Sequence, residues 1–214
     1  MKVAALFVAD EGPYINRAAI DPWPESRDAR TYTGPYPVIA HPPCERYGRY
    51  WGGGPSAKVK RELGDDGGCF ASALRAVQVW GGVLEHPAHS YAWDIYRIPF
   101  PTPGCWEQVG KVAKGFEWVC HVEQGHYGHP ARKATWLYAV SPVKPPDLKW
   151  GPSEGIRLDE GFHSKEERRL ARLSGKKPVK RLSKKQCEHT PEAFAQVLFQ
   201  IACSTQQACA VEDK

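Results

Sequence analysis

The stretch from Val38 to Pro87 constrains the fold more than any other part of the chain. Three apolar residues, Val38-Ile39-Ala40, run straight into His41-Pro42-Pro43-Cys44. Proline fixes φ and donates no hydrogen bond, so a strand ends there. Further on, residues 67–80 place Phe70, Ala73, Leu74 and Val77 at the spacing of an amphipathic helix. Gly81 and Gly82 close that helix as a C-cap, and residues 83–87 read as a second strand halted by its own proline. Strand, helix and strand in this order predict a βαβ unit, a parallel pair joined by a right-handed crossover.

The rest of the chain is read around that unit. Residues 2–9, "KVAALFVA", are a first buried strand. Residues 12–37 are rich in proline, glycine and charge and read as a long connection with one short helical turn. Residues 45–66 read as an exposed loop, and residues 88–115 as irregular. The β-rich runs 116–123 and 133–140 predict a hairpin or neighbouring pair at the sheet edge. A proline linker covers 141–155. Thr190, Pro191 and Glu192 form a helix start, followed by a stripe of Phe194, Val197, Leu198 and Ile201. The expected organisation is an α/β core over 1–150, a basic extension over 151–189, a C-terminal helix over 190–204 packing back on the core, and a tail over 205–214. Strands alternating with helices favour a mostly parallel sheet.

Composition narrows the class. The chain has 214 residues, 42% of them hydrophobic, which suffices for one packed core. No run approaches the ~18 apolar residues of a membrane span. The N-terminus lacks the long apolar region and cleavage site of a secretory signal, so a cytoplasmic location is expected. Seven cysteines, an odd number with no Cys-x-x-Cys pair, read as thiols in a reducing compartment. The formal charge is +5, and residues 157–189 alone hold eleven Lys/Arg against five acids. A segment of that kind either neutralises phosphates or serves as a solvated tail.

Open α/β sheets carry their chemistry just past the C-terminal ends of their strands. Three stretches fall there. His41-Pro42-Pro43-Cys44 holds a thiol at a stiffened strand exit. Arg46 and Arg49 close by in sequence are expected to lower its pKa from the ordinary value of about 8.5. Glu85, after Val83-Leu84, is an acid at a strand tip, suited to holding a ring nitrogen. Residues 123–140 present Gln124, His126, His129, Arg132 and Lys133 around a Gly/Pro turn. A metal site from Cys120, His121, His126 and His129 is a weaker alternative, because its spacing matches no standard zinc pattern.

"VIAHPPC", "LEHP" and "QGHYGHPARKATWL" occur in the order of the Pro-Pro-Cys, Glu-Asn-Val/Pro and Gln-x-Arg-x-Arg motifs, so the chain resembles the DNA cytosine-5 methyltransferases. "EHTPEAFAQVLFQIA" is similar to the family's last motif, a Pro-opened helix that packs beside the first strand. The likeness covers most of 38–140 and 188–202, and is that of a compact phage or prophage branch. It implies a truncated three-layer Rossmann-like methyltransferase sheet and S-adenosylmethionine-dependent methylation, as in phage DNA modification against restriction. By the same resemblance Cys44 attacks carbon 6 of cytosine, Glu85 contacts N3 and the exocyclic amine, and Gln124 and Arg132 support the pocket. The loop 45–54 becomes a mobile catalytic loop, with Arg46 and Arg49 on phosphates and Tyr47, Tyr50 or Trp51 filling the space of a flipped base. Lys176, Lys177, Lys180 and Arg181 add phosphate contacts.

Two family features are missing. The first strand ends "LFVADEGPY" without the Gly-x-Gly cofactor loop, which leaves Asp10, Gly12, Asp21 and Pro42 as cofactor-binding candidates. There is also no room for a separate target-recognition domain, so low sequence specificity is expected, on DNA or on a cytosine nucleotide. A nucleic-acid-binding relative without catalysis, and an enzyme using a different one-carbon donor, are the alternative readings.

Overall fold

The structure is a computed structural model that describes residues 1–53, 58–59, 61–156, 165–175 and 182–207. Its centre is a seven-stranded sheet built from β1 (Val3–Val8), β2 (Ile20–Pro24), β3 (Val38–Ala40), β4 (Gly82–Pro87), β5 (Glu107–Val112), β6 (Gly115–Glu123) and β7 (Ala134–Ser141). The spatial order is β2-β1-β3-β4-β7-β6-β5. The first four strands are mutually parallel, and β7, β6 and β5 join antiparallel. The helices are α1 (Cys69–Trp80), the single turn α2 (Ala92–Ile95), α3 (Lys165–Leu173), the short α4 (Lys184–Glu188) and α5 (Glu192–Gln207).

Both faces of the sheet are covered, so the central strands are apolar without a polar side. Alternate residues divide into two cores. Ala4, Leu6, Val38, Ala40, Leu84, Trp136 and Tyr138 face α1, which lays down Phe70, Ala73 and Val77. Val3, Ala5, Ile39, Val83, Leu137 and Ala139 face α5, which lays down Phe194, Ala195, Leu198 and Ile201. The result is a three-layer arrangement with the C-terminal helix packed on the sheet, as expected. The helix runs over β4, β7 and β3 as well as β1, rather than beside β1 alone.

The βαβ unit forms as read. Asp66 accepts the amides of Gly68 (2.9 Å) and Phe70 (2.7 Å), which satisfies free N–H groups at the start of α1. At the other end Gly82 takes φ +118°, and a Cβ there would lie 1.9 Å from the Val38 carbonyl. Only glycine lets β4 approach β3 that closely.

Four expectations need correction. The sheet is mixed, because β7 inserts antiparallel beside β4. The 116–123/133–140 pair therefore fills the sheet interior, and the edge belongs to β5, in a stretch read as irregular. The connection 12–37 contains β2. Its Pro22 and Pro24 have no N–H to offer a further neighbour, which suits an edge strand and disguises it in sequence. The proline stretch 141–155 is fastened down: Leu148 is buried, the Trp106 indole donates to the Pro146 carbonyl (2.9 Å), and Ser153 binds Glu123 through its amide and hydroxyl. Among the described residues no helix is long and apolar enough to cross a membrane.

Candidate active site

The parity of the strands sets the site. Glu85 follows Leu84, so it shares the α5-facing side with Val83. On β7, Thr135 shares that side with Leu137, and beyond β6 Gln124 continues the row of Cys120 and Val122. His41 continues the row of Ile39 past β3. Four polar side chains from four segments thus meet at one end of the sheet, just above the apolar core.

Their hydrogen bonds form one chain. Gln124 Nε2 donates to Glu85 Oε1 (2.9 Å) and Thr135 Oγ1 (3.0 Å), and Thr135 donates to the Lys133 carbonyl (3.0 Å). The second carboxylate oxygen, Glu85 Oε2, lies 3.1 Å from His41 Nδ1, and His41 Nε2 lies 2.8 Å from the Tyr14 hydroxyl. Burial by itself pushes the Glu85 pKa up. The hydrogen bond and charge of His41, with the charges of Lys133 and His86, outweigh it and bring the carboxyl down to about 2. An ionised carboxylate only accepts, so His41 Nδ1 donates to Glu85, with Nε2 against the Tyr14 hydroxyl. Burial and the Glu85 charge push the Tyr14 pKa well up, so the phenol keeps its proton. Gln124 is fully buried, and its carbonyl oxygen has no partner.

Cys44 stands at the rim, partly buried. Burial and then the Glu85 charge raise its thiol pKa, with Lys133 as the opposing cation. The expectation that Arg46 and Arg49 lower it is therefore corrected: neither arginine is among the charges acting on the sulfur, and the Glu85 carboxylate dominates them. Arg132, expected to support the pocket, has a buried Nε without a partner, and the cation acting on Glu85 and Cys44 is its neighbour Lys133.

The loop after Cys44 is folded into successive turns, closed by Tyr47 N to Cys44 O (3.0 Å) and Trp51 N to Gly48 O (3.0 Å). Arg49 and Tyr50 are exposed on it, with the Arg49 guanidinium 5.9 Å from the Tyr50 ring centre. Arg46 and Trp51 are half-buried. Tyr47 is a correction: it is fully buried against Phe70, His86 and Tyr96, so it cannot enter the space of a displaced base. Lys176, Lys177, Lys180 and Arg181 lie outside the described residues.

The cofactor candidates do not converge. Asp10 and Gly12 are exposed, with open space around a Cβ at Gly12, and Pro42 is buried. Asp21 is level with Ala4, Val38 and Gly82, at the start of β4, whereas Glu85 is at its end. Three residues of strand separate those levels, roughly 10 Å, and Asp21 is already bonded to Arg27 and the Trp23 indole. The strand order reverses between β1 and β3, the place where open sheets take a ligand. Here Tyr14, 4% exposed, reaches across that crevice to His41. These residues do not make a cradle for S-adenosylmethionine.

The alternative metal site disperses as well. Cys120 is buried in the α5-side core, His121 accepts from the Trp136 indole (3.0 Å), and His126 and His129 bond to backbone carbonyls. Among the described residues no group of three or more His, Cys, Asp or Glu is placed to hold a metal.

Sequence reasoning missed Tyr14, His41 and Thr135 as members of the network, and it presented Lys133 among the polar groups of the turn without a role of its own. The signal was present for Thr135: with Val122 facing the core, the antiparallel register brings it beside Gln124. These features define a mixed α/β protein with a polar site at the tips of its parallel strands. No protein-family model, no curated protein and no solved structure matches the chain.

Proposed function

We propose that the chain binds a cytosine-type base, in DNA or as a nucleotide, against Glu85 and adds the Cys44 sulfur to carbon 6. The observation that carries this reading is a buried carboxylate at the tip of β4, held ionised above all by His41 and hydrogen-bonded by Gln124, beside a thiol just past the adjacent parallel strand β3. An ionised Glu85 accepts from the exocyclic amine, and from N3–H once that nitrogen is protonated. Protonation at N3 makes the ring an electron sink, and the carboxylate neutralises the charge. The thiol proton leaves to solvent, the sulfur lone pair forms the S–C6 bond, and the C5–C6 π pair moves to carbon 5. Carbon 5 then takes a proton from water. Reversal with loss of the original hydrogen restores the base.

The residues at the switch point between β1 and β3 do not fit S-adenosylmethionine. The addition itself needs no donor, and that makes it separately measurable. In deuterium oxide, deoxycytidine monophosphate or a cytosine-containing oligonucleotide exchanges its C5 hydrogen in the presence of the wild-type protein, followed by proton NMR. Cys44→Ala abolishes the exchange. Equal exchange by both proteins, or none by folded wild type with either substrate, sinks the reading.

A further inference from the structure

We propose that Lys133 is the positioning cation of Cys44, its ammonium fixed on the carbonyls of Glu188 and His189 so that the thiolate has a counter-charge. The inference deepens the base-addition reading by naming what sustains its nucleophile, and it is testable without any base.

Lys133 is held in an unusual way. It takes φ +45°, a left-handed conformation that is unfavourable for a non-glycine residue and persists only where its surroundings enforce it. Its carbonyl accepts from the Gln124 amide (3.2 Å) and the Thr135 hydroxyl (3.0 Å), which fixes that backbone in the polar network. Its Nζ donates to the carbonyls of Glu188 (3.2 Å) and His189 (2.9 Å). An ammonium has three donors, so two carbonyls leave one N–H unspent. Among the described residues no carboxylate lies within salt-bridge distance of it. A partly buried charge without an ionic partner is unfavourable unless something nearby uses it.

Four potential anions face it, and one potential cation, His129 from the turn before β7, whose own pKa burial and then the Lys133 charge lower. Glu85 approaches from β4, Cys44 from the turn after β3, and Cys187 and Glu188 from α4; each favours the charged lysine, while burial opposes it more strongly. For Cys44 the charges of Glu85 and Glu188 oppose ionisation and Lys133 favours it. The cover formed by α4 is tied to the same place, because Lys184 pairs with Glu45, the residue after Cys44 (2.8 Å). Capping the C-terminal carbonyls of α4 explains the two hydrogen bonds of Lys133. It does not explain why the amine is enclosed among Cys44, Glu85 and Cys187.

The test is the pH profile of Cys44 alkylation by iodoacetamide, located by peptide mass spectrometry, with thermal unfolding as the control for folding. Lys133→Gln keeps a donor for the α4 carbonyls and removes the charge. An opposite charge at close range moves a pKa by about 1–3 units. The profile of Lys133→Gln therefore moves to higher pH, and the rate at pH 8 falls about tenfold. Lys133→Arg stays near wild type. Lys133→Met fills a similar volume without charge, and it gives the same shift should glutamine pack badly. A neutral variant that folds and superimposes on the wild-type profile overturns the proposal and leaves Lys133 as a helix cap. A shifted profile together with absent C5 exchange upholds Lys133 and rejects only the base-addition reading.

Discussion

His86 gives the sharpest quantitative test of the strand-tip environment. It follows Glu85 but faces the opposite side of the sheet, fully buried, with its ring edge-on to Phe70 at 5.1 Å and Tyr47 at 5.8 Å. Neither ring nitrogen has a hydrogen-bond partner, although the Pro43 carbonyl is near enough to favour protonation. Burial dominates, and against the charges of Glu85 and Asp66 it brings the imidazole from its ordinary 6.5 down to about 4. The unfolded chain therefore binds a proton as pH falls through 6.5, and the folded chain does not until about 4. Stability is lost across that window and the loss levels off below it. With those two values, going from pH 7 to pH 5 removes roughly 2 kcal/mol through this one residue. His86→Phe keeps a ring and removes the titration. Any packing cost of the larger ring is the same at both pH values and cancels. Urea unfolding of both proteins at pH 7 and pH 5 reads the difference directly. The wild type is expected to lose roughly 2 kcal/mol more than His86→Phe. Equal losses would show that His86 takes up its proton in the folded chain as readily as in the unfolded one, its charge met by a partner or by water, and the argument from its orphaned nitrogens would fail.

Two further outcomes bear on the same region. Glu85→Gln removes a carboxylate whose pKa falls from 4.5 to about 2 on folding. Its depressed pKa stabilises the fold above 4.5 by roughly 3 kcal/mol, and that contribution drains away as pH falls towards 2. The stability gap between variant and wild type in urea is therefore widest at neutral pH and shrinks in acid. Tyr47→Ala empties a fully buried aromatic site. It is expected to cost about 3–5 kcal/mol in urea unfolding, whereas a surface residue waiting for a displaced base would cost almost nothing.

The central βαβ unit was legible because every signal in it is local. Prolines stop the strands, the stripe from Phe70 to Val77 has helical period, and Gly82 sits where β3 leaves no room for a Cβ. Where reading failed, partners were distant or the local signal pointed the other way. Pro22 and Pro24 argue against a strand until β2 is known to be an edge. Tyr47 reads as a loop aromatic until Phe70 and Tyr96, both remote in sequence, close around it. The site follows the same rule. Cys44 and Glu85 show in sequence because each follows an apolar strand run, but the partner that decides the charge on Glu85 is His41, and nothing local predicts that pairing. It arises because β3 and β4 are in parallel register, Ala40 opposite Leu84, with the same side of the sheet facing α5. Tyr14 then completes the chain from a connection that looks featureless. Its buried hydroxyl on His41 occupies the reversal point between β1 and β3. One side chain thus ties that crevice to the charge on Glu85, because the crevice serves the carboxylate and its histidine.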